Sequence, residues 1–227
     1  MRTNVVCVGL FALLSASLAS ASPIAIPPGL APGSTYFLTF VTAGVHDAVS
    51  SNIADYDAFV SSEANLDPAL AALGTTWKAI GSTTTVDASD HVGVTAPVYN
   101  LNGQQVATGA VDLFDGTLDA PIDFDQHGNL LLTKVWTGSI NDGTGYPGQQ
   151  LATGDPVIGD SSLTTNIAGQ SWILWGVFNG FPTSAVSTSV YGMSGPLVVP
   201  QVPEPATLLL LGTGLIGACR WRKRRMI

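Results

Sequence analysis

Cysteine is almost absent from this 227-residue chain, and its two copies, Cys7 and Cys219, stand near the two ends. The body between them has no thiol, which excludes disulfides and thiolate metal sites there and leaves the fold to a hydrophobic core. Cations are equally scarce. From Ser22 to Pro200 the only Lys or Arg residues are Lys78 and Lys134, against every acidic residue of the chain except Glu204. That stretch carries about −13 by formal count, too few cations to neutralise phosphates, so nucleic acid is excluded as a partner. Charged residues make up 11 % and hydrophobic ones 46 %, the opposite of a disordered chain. Phosphate-cradling and dinucleotide loops are missing too. The length suits one domain with short appendages.

The ends are more explicit. Arg2, the apolar run Val5–Leu14 and the small residues closing at Ala19-Ser20-Ala21 follow the order of a secretory signal peptide. The run is too short to span a bilayer, which predicts cleavage after Ala21 by signal peptidase, with an uncleaved anchor as the alternative. A Pro-rich lead-in, residues 22–35, follows. At the other end stand Pro203-Glu204-Pro205, the apolar stretch Ala206–Cys219, and Arg220, Arg222, Lys223, Arg224 and Arg225 around Trp221. A helix over those 14 apolar residues is about 21 Å long, short of a ~30 Å hydrocarbon core. Interfacial Trp221 and snorkelling arginines extend its reach, and the cationic cluster acts as a cytoplasmic stop. Cys219 reads as apolar filler, or as a palmitoylation site.

This order, Pro-Glu-Pro then apolar helix then Arg cluster over residues 200–227, resembles the PEP-CTERM sorting signal of Gram-negative bacteria. The resemblance implies an inner-membrane intermediate held through residues 206–219. An exosortase, a membrane cysteine protease-transpeptidase, then processes the chain near Pro203-Glu204-Pro205 and delivers it to the cell surface or extracellular matrix. A plain tail anchor is the alternative.

Within the body, residues 36–199 read as one acidic α+β domain. Tyr36–Val41 predicts a buried strand. Asn52 predicts a helix N-cap, with Ile53, Tyr56, Phe59 and Val60 on one face. Asp67-Pro68 opens a second short helix that stops at Gly74. Strands are expected over Thr75–Ile80, over Pro97–Leu101 and Gln104–Thr108 about an Asn102-Gly103 turn, and over Ile122–Asp125 and Leu130–Trp136. A loop over Gly138–Ser162 and closing strands at Ser171–Phe178 and Val190–Val199 complete the reading.

Four short segments, Gly74–Ala79, Pro97–Leu101, Leu113–Gly116 and Val135–Ser139, are similar to pieces of endostatin-like modules and related C-type-lectin-like domains. That resemblance implies two N-terminal helices packed on small antiparallel sheets with a long loop region; an all-β sandwich with N-terminal helices is the alternative. The disulfides usual in that fold are missing. So is the Trp-Asn-Asp sugar tripeptide, since four residues stand between Trp136 and Asn141-Asp142. Only the fold carries over, and fold does not give function.

The densest polar feature runs Asp112, Asp115, Asp119, Asp123, Asp125, Asn129. Oxygen ligands at short spacing suit Ca²⁺, and Asp123-x-Asp125-x-His127-Gly128 approaches an EF-hand opening. Its fifth position is His, however, and its twelfth is Lys134 where a bidentate Glu belongs. Asp123, Asp125 and Asn129 are thus calcium candidates weighed against plain turn residues, and the turn reading is preferred. His46, His91 and His127 lack metal spacing and read as surface histidines beside carboxylates. Gly192-Met193-Ser194-Gly195 is one residue short of a nucleophile elbow. Glu63 is the body's single Glu, and the Asp content alone leaves a carboxylate pair for hydrolysis open. Trp77, Trp136, Trp172 and Trp175 read as core. The expectation is therefore an exported surface or matrix protein of structural or adhesive role, without catalysis and without a cofactor. The alternative is a polysaccharide-binding module, with or without calcium, and a hydrolase ranks last.

Overall fold

The computed structural model describes residues 25–165, 169–178 and 186–201. Thr35–Val41 forms strand β1, and every residue of it after Thr35 is buried. Successive side chains of a strand point to opposite faces. Tyr36, Leu38 and Phe40 accordingly enter one hydrophobic cluster, and Phe37 and Val41 enter a second. A strand covered on both faces shows the unbroken apolar run seen here.

Helix α1, Ile53–Ala64, starts where the Asn52 side chain accepts the Ala54 N–H. Tyr56, Val60 and Ala64 repeat every fourth residue and bury against the first cluster. Helix α2, Pro68–Ala71, is capped by the Asp67 carboxylate with Pro68 in its first turn. Strand β2 covers Trp77–Ala79, and helix α3, Ala88–Val92, sends Ala88 and Val92 into the second cluster. Strands β3, Val98–Asn100, and β4, Gln105–Ala107, form a hairpin whose turn needs a left-handed residue, supplied by Gly103 at φ 77°. Helix α4, Ala110–Leu113, precedes β5, Lys134–Trp136; β6, Val157–Asp160; β7, Gly176–Val177; β8, Ser189–Ser194; and β9, Leu197–Val198.

These strands make one nine-stranded sheet whose main path runs β4-β3-β1-β8-β5-β6-β7. Strand β2 pairs with β8 and β9 with β1. The β1–β3 and β5–β8 pairs are parallel and the rest antiparallel. Helix α1 covers one face; α3 and α4 contribute to the cluster on the other. Strands β8 and β9 lie antiparallel to the same strand, their register shifted by one residue around Gly195-Pro196.

The α+β class therefore holds, while three finer expectations are corrected. The sheet is single and mixed, neither a set of small antiparallel sheets nor a sandwich of two. Helices α3 and α4 fall where only strands and loops were expected; with five and four residues, their periodicity is too brief to read. Strand β6 lies inside the expected Gly138–Ser162 loop, and of Ser171–Phe178 only Gly176–Val177 is strand. At Gly159 a Cβ would collide with the Trp172 carbonyl oxygen, so β6 and the Trp172 segment meet backbone to backbone. Neither segment shows the alternation of a half-exposed strand.

Candidate functional site

The two ends of the described chain meet at one pole of the domain. Gly33 N–H donates to the Val199 carbonyl and Val199 N–H to the Ser34 carbonyl, both at 2.9 Å. Next to them Thr35 faces Val198 and Tyr36 faces Leu197 in the β1–β9 ladder. The Tyr36 side chain is 1 % exposed, so its hydroxyl needs a partner, and it donates to the Ala25 carbonyl at 2.8 Å. Burial also pushes the Tyr36 phenol above its ordinary pKa. Beside this junction lies an open groove of about 390 Å³ whose walls include Ile26, Leu73, Leu197, Val198 and Pro200. None of its lining residues carries a charge. Ile26 and Val198 are 46 % and 59 % exposed on its rim.

The processing residues named from sequence, Ala21, Pro203, Glu204, Pro205, Arg220, Arg222, Lys223, Arg224 and Arg225, lie outside the described residues, as does 206–219. Among the described residues, no helix is long and apolar enough to cross a membrane.

The acidic stretch resolves into turns. Asp125 Oδ1 accepts the His127 and Asn129 N–H groups at 2.9 Å, and its Oδ2 accepts the Asn129 side-chain amide at 3.3 Å. Asp115 accepts both the N–H and the hydroxyl of Thr117, and Asp112 does the same for Thr108. These are the local side-chain-to-backbone bonds by which Asp stabilises turns. Asp123 differs. It is 9 % exposed, its Oδ1 has no hydrogen-bond partner, and burial raises its pKa although its own backbone N–H lowers it somewhat. The structure thus gathers Asp123, Asp125 and Asn129 around one turn, with the Asp125 oxygens already used by the turn itself. Among the described residues no group of three or more His, Cys, Asp or Glu side chains is placed to hold a metal ion.

The three histidines stand apart, each near a different aspartate. His46 Nδ1 donates to the Asp47 carbonyl at 2.6 Å, and its ring packs on Tyr56 and Phe59. His91 reaches Asp57 at 2.9 Å, across from α1, and not its sequence neighbour Asp90. His127 lies 3.6 Å from Asp67, the cap of α2. Ser194 is buried and its hydroxyl oxygen accepts the Leu38 N–H at 2.8 Å, so it joins β8 to β1. Trp77, Trp136 and Trp172 are core residues, whereas Trp175 is only half-buried. The Lys134 ammonium lies 3.3 Å from the centroid of the Trp175 ring and 2.5 Å from Asp160, occupying one face of that indole.

Two arrangements had no signal in the sequence. One is the meeting of the lead-in with β9. The other centres on Glu63, whose Oε2 accepts the Gly44 N–H at 2.7 Å and the Gln126 amide at 2.8 Å. Gln126 in turn accepts the Ala43 N–H at 2.9 Å. An isolated Glu on a helix gives no hint that it is 9 % exposed and holds two loops.

The groove and the β1–β9 junction include residues up to Pro200, and residues 201–225 match the family model of the PEP-CTERM protein-sorting motif. The chain carries a PEP-CTERM sorting motif. It implies export, C-terminal sorting by an exosortase and delivery to the surface of a Gram-negative cell. The PEP-CTERM match opens at Gln201, two residues beyond the last ladder hydrogen bond at Val199. No curated protein matches the chain.

Proposed function

We propose that this chain is a structural or adhesive component of the cell surface or extracellular matrix. Its folded body is cargo, tethered to the inner membrane through residues 206–219 until an exosortase cuts near Pro203-Glu204-Pro205. The observation that carries this reading is the position of the sorting motif directly behind the last strand pairing. A non-catalytic body is supported by where its reactive groups go. The Ser194 hydroxyl, the Asp125 carboxylate and the Asp57–His91 pair all serve the fold's own backbone or each other. The acidic body favours cationic partners or divalent cations, met through its charged face and the Gly138–Ser162 segment.

The test is the intact mass of the chain recovered from the surface of cells with and without the exosortase. The expected product begins at Ser22 and ends near Pro203–Pro205 when the enzyme is present, and stays in the membrane with its tail when it is absent. A surface chain that keeps residues 206–219 refutes the reading.

A second reading, a polysaccharide-binding module aided by calcium, draws on one observation, the buried and unpartnered Oδ1 of Asp123. Thermal melts of the exported chain in EDTA and in millimolar Ca²⁺ separate the two. Binding to the native state alone adds about 2.7 kcal/mol at one hundred times Kd. An unchanged melting temperature supports the purely structural role.

A further inference from the structure

We infer that the pole carrying both chain ends is a membrane-facing surface, whose uncharged groove rests on the lipid interface while the C-terminal segment is uncut. This rests on the tethered intermediate proposed above and says how the body sits in it. Three independent observations converge on the pole.

The first is reach. Val199 is hydrogen-bonded into the sheet, and only six residues separate it from the start of the apolar stretch at Ala206. Fully extended, the seven steps from Val199 to Ala206 span at most about 25 Å. The headgroup zone of one leaflet is itself roughly 5–8 Å thick, so the pole cannot stand far from the bilayer. The second is mismatch. The 14 apolar residues cover about 21 Å as a helix, less than a ~30 Å core. A short span draws its flanks toward the interface. On the cytoplasmic side those flanks are Trp221 and the arginines; on the outer side they are the Pro-Glu-Pro segment and the pole itself.

The third is chemistry. The body carries about −13 between Ser22 and Pro200, yet no residue lining the groove is charged. Its rim exposes Ile26 and Val198, and Pro200 forms the wall from which the chain leaves. An acidic body tethered above anionic headgroups turns its uncharged end toward them, since any other orientation brings like charges together. Exposed apolar side chains at headgroup depth then lose contact with water. The lead-in arrives at the same place, because Ala25 is held by Tyr36 four residues after Ala21. During export both ends therefore leave the domain on the side of the membrane.

The test uses the full chain with Cys219→Ala and Cys7→Ala, carrying a single cysteine at Val198, at Ile26 or at Val111. Val111 is 89 % exposed and does not line the groove. Each is labelled with an environment-sensitive fluorophore and reconstituted into phosphatidylethanolamine–phosphatidylglycerol vesicles, and flotation records attachment. The expected result is a blue shift and severalfold quenching by headgroup-nitroxide lipid at Val198 and Ile26, with a water-like signal at Val111. Water-like emission at both pole positions in chains that float with the vesicles overturns this inference and leaves the tether intact. Failure to float overturns the tether itself. A blue shift that grows with protein concentration in the absence of vesicles assigns the groove to a second copy and also overturns it.

Discussion

Replacing Asp123 by Asn is expected to make the protein more stable at neutral pH. The carboxylate is 9 % exposed, and its Oδ1 has no hydrogen-bond partner. A buried polar group left unpaired costs about 1–3 kcal/mol, and a charged one costs more. Burial raises the Asp123 pKa above the ordinary carboxylate value. A raised native pKa means that the folded state holds its proton more tightly than the unfolded state. Stability is therefore fully present below about pH 3.9, the unfolded value, and is lost as pH rises through the native pKa. Asparagine keeps the shape and removes the charge. Allowing for its own buried N–H groups, the gain at pH 7 is about 1–2 kcal/mol and shrinks toward zero in acid. Urea melts of wild type and Asp123→Asn across that pH range measure it, read as a shift in midpoint at constant slope. A variant less stable than wild type at neutral pH refutes the reasoning. If that loss appears only when Ca²⁺ is present, the carboxylate has a cation for a partner and the ligand-binding reading gains.

Asp160 is expected to behave with the opposite sign. Burial alone raises its pKa, but hydrogen bonds from Lys134 and Ser162 outweigh this and hold it below the ordinary value. Its stability contribution is present above about pH 3.9 and lost as pH falls through the lowered native pKa, so Asp160→Asn should cost about 1–3 kcal/mol at neutral pH and less in acid, by the same urea melts. Glu63→Ala should cost about 3 kcal/mol because it strands the Gly44 N–H and the Gln126 amide, whereas Glu63→Gln keeps an acceptor and should cost about half as much; equal losses in denaturant melts would show that the bonds are not what matters. Gly159→Ala drives a Cβ into the Trp172 carbonyl oxygen, and neither backbone can yield cheaply. A loss of about 3 kcal/mol is expected, visible as a melting temperature lower by several degrees. Leu197→Ala removes a side chain that is 8 % exposed at the edge of the first cluster, with an expected cost of about 2 kcal/mol. Hydrogen exchange should show the Gly33 and Val199 amides losing protection before α1 does.

What the sequence disclosed was local. Asn52 and Asp67-Pro68 announce their helices because a cap acts on amides two residues away, and both carboxamide and carboxylate are found doing so. Asn102-Gly103 announces its hairpin for the same reason, and the aromatic and β-branched run after Ser34 announces a strand buried on both faces. Short elements escape such reading. Helix α3 is held by only Ala88 and Val92, and β6 is four residues inside a Gly-rich segment. Pairings across the whole chain escape it entirely: nothing local says that Phe37 faces Val98 in parallel, or that Tyr36 faces Leu197. The candidate site divides in the same way. The sorting motif is a linear signal and can be read from residues alone; the pole beside it exists only through tertiary pairing. Glu63 and Asp123 show the limit most clearly. One is a buried carboxylate with two donors and the other a buried carboxylate with an unpaired oxygen, and no sequence pattern separates them.

The topology also bears on how export and folding are ordered. Strand β1 opens the domain and finds its antiparallel partners in β8 and β9, the last strands before the sorting motif. The hydrogen bond from Leu38 N–H to Ser194 spans 156 positions, and that from Thr39 to the Gly192 carbonyl spans 153. Closing loops of that length costs entropy before any contact offsets it, so contacts of this range form late. A chain emerging N-terminus first therefore cannot pair the open side of β1 until residues 189–198 have crossed. The next residues to follow are Gln201 and the sorting motif. In the tethered intermediate proposed above, completion of the sheet and arrival of the membrane stop thus fall close together in export, separated by the roughly twenty residues between Val198 and Arg220. On the proposed tether, a body that has closed would stand with both ends at the bilayer; one that has not closed presents the same motif behind an unpaired β1 edge, open to proteases and to pairing with other strands. If the chain is held as proposed, the short spacing between β9 and Pro203 lets the fold be finished at the membrane before an exosortase releases it.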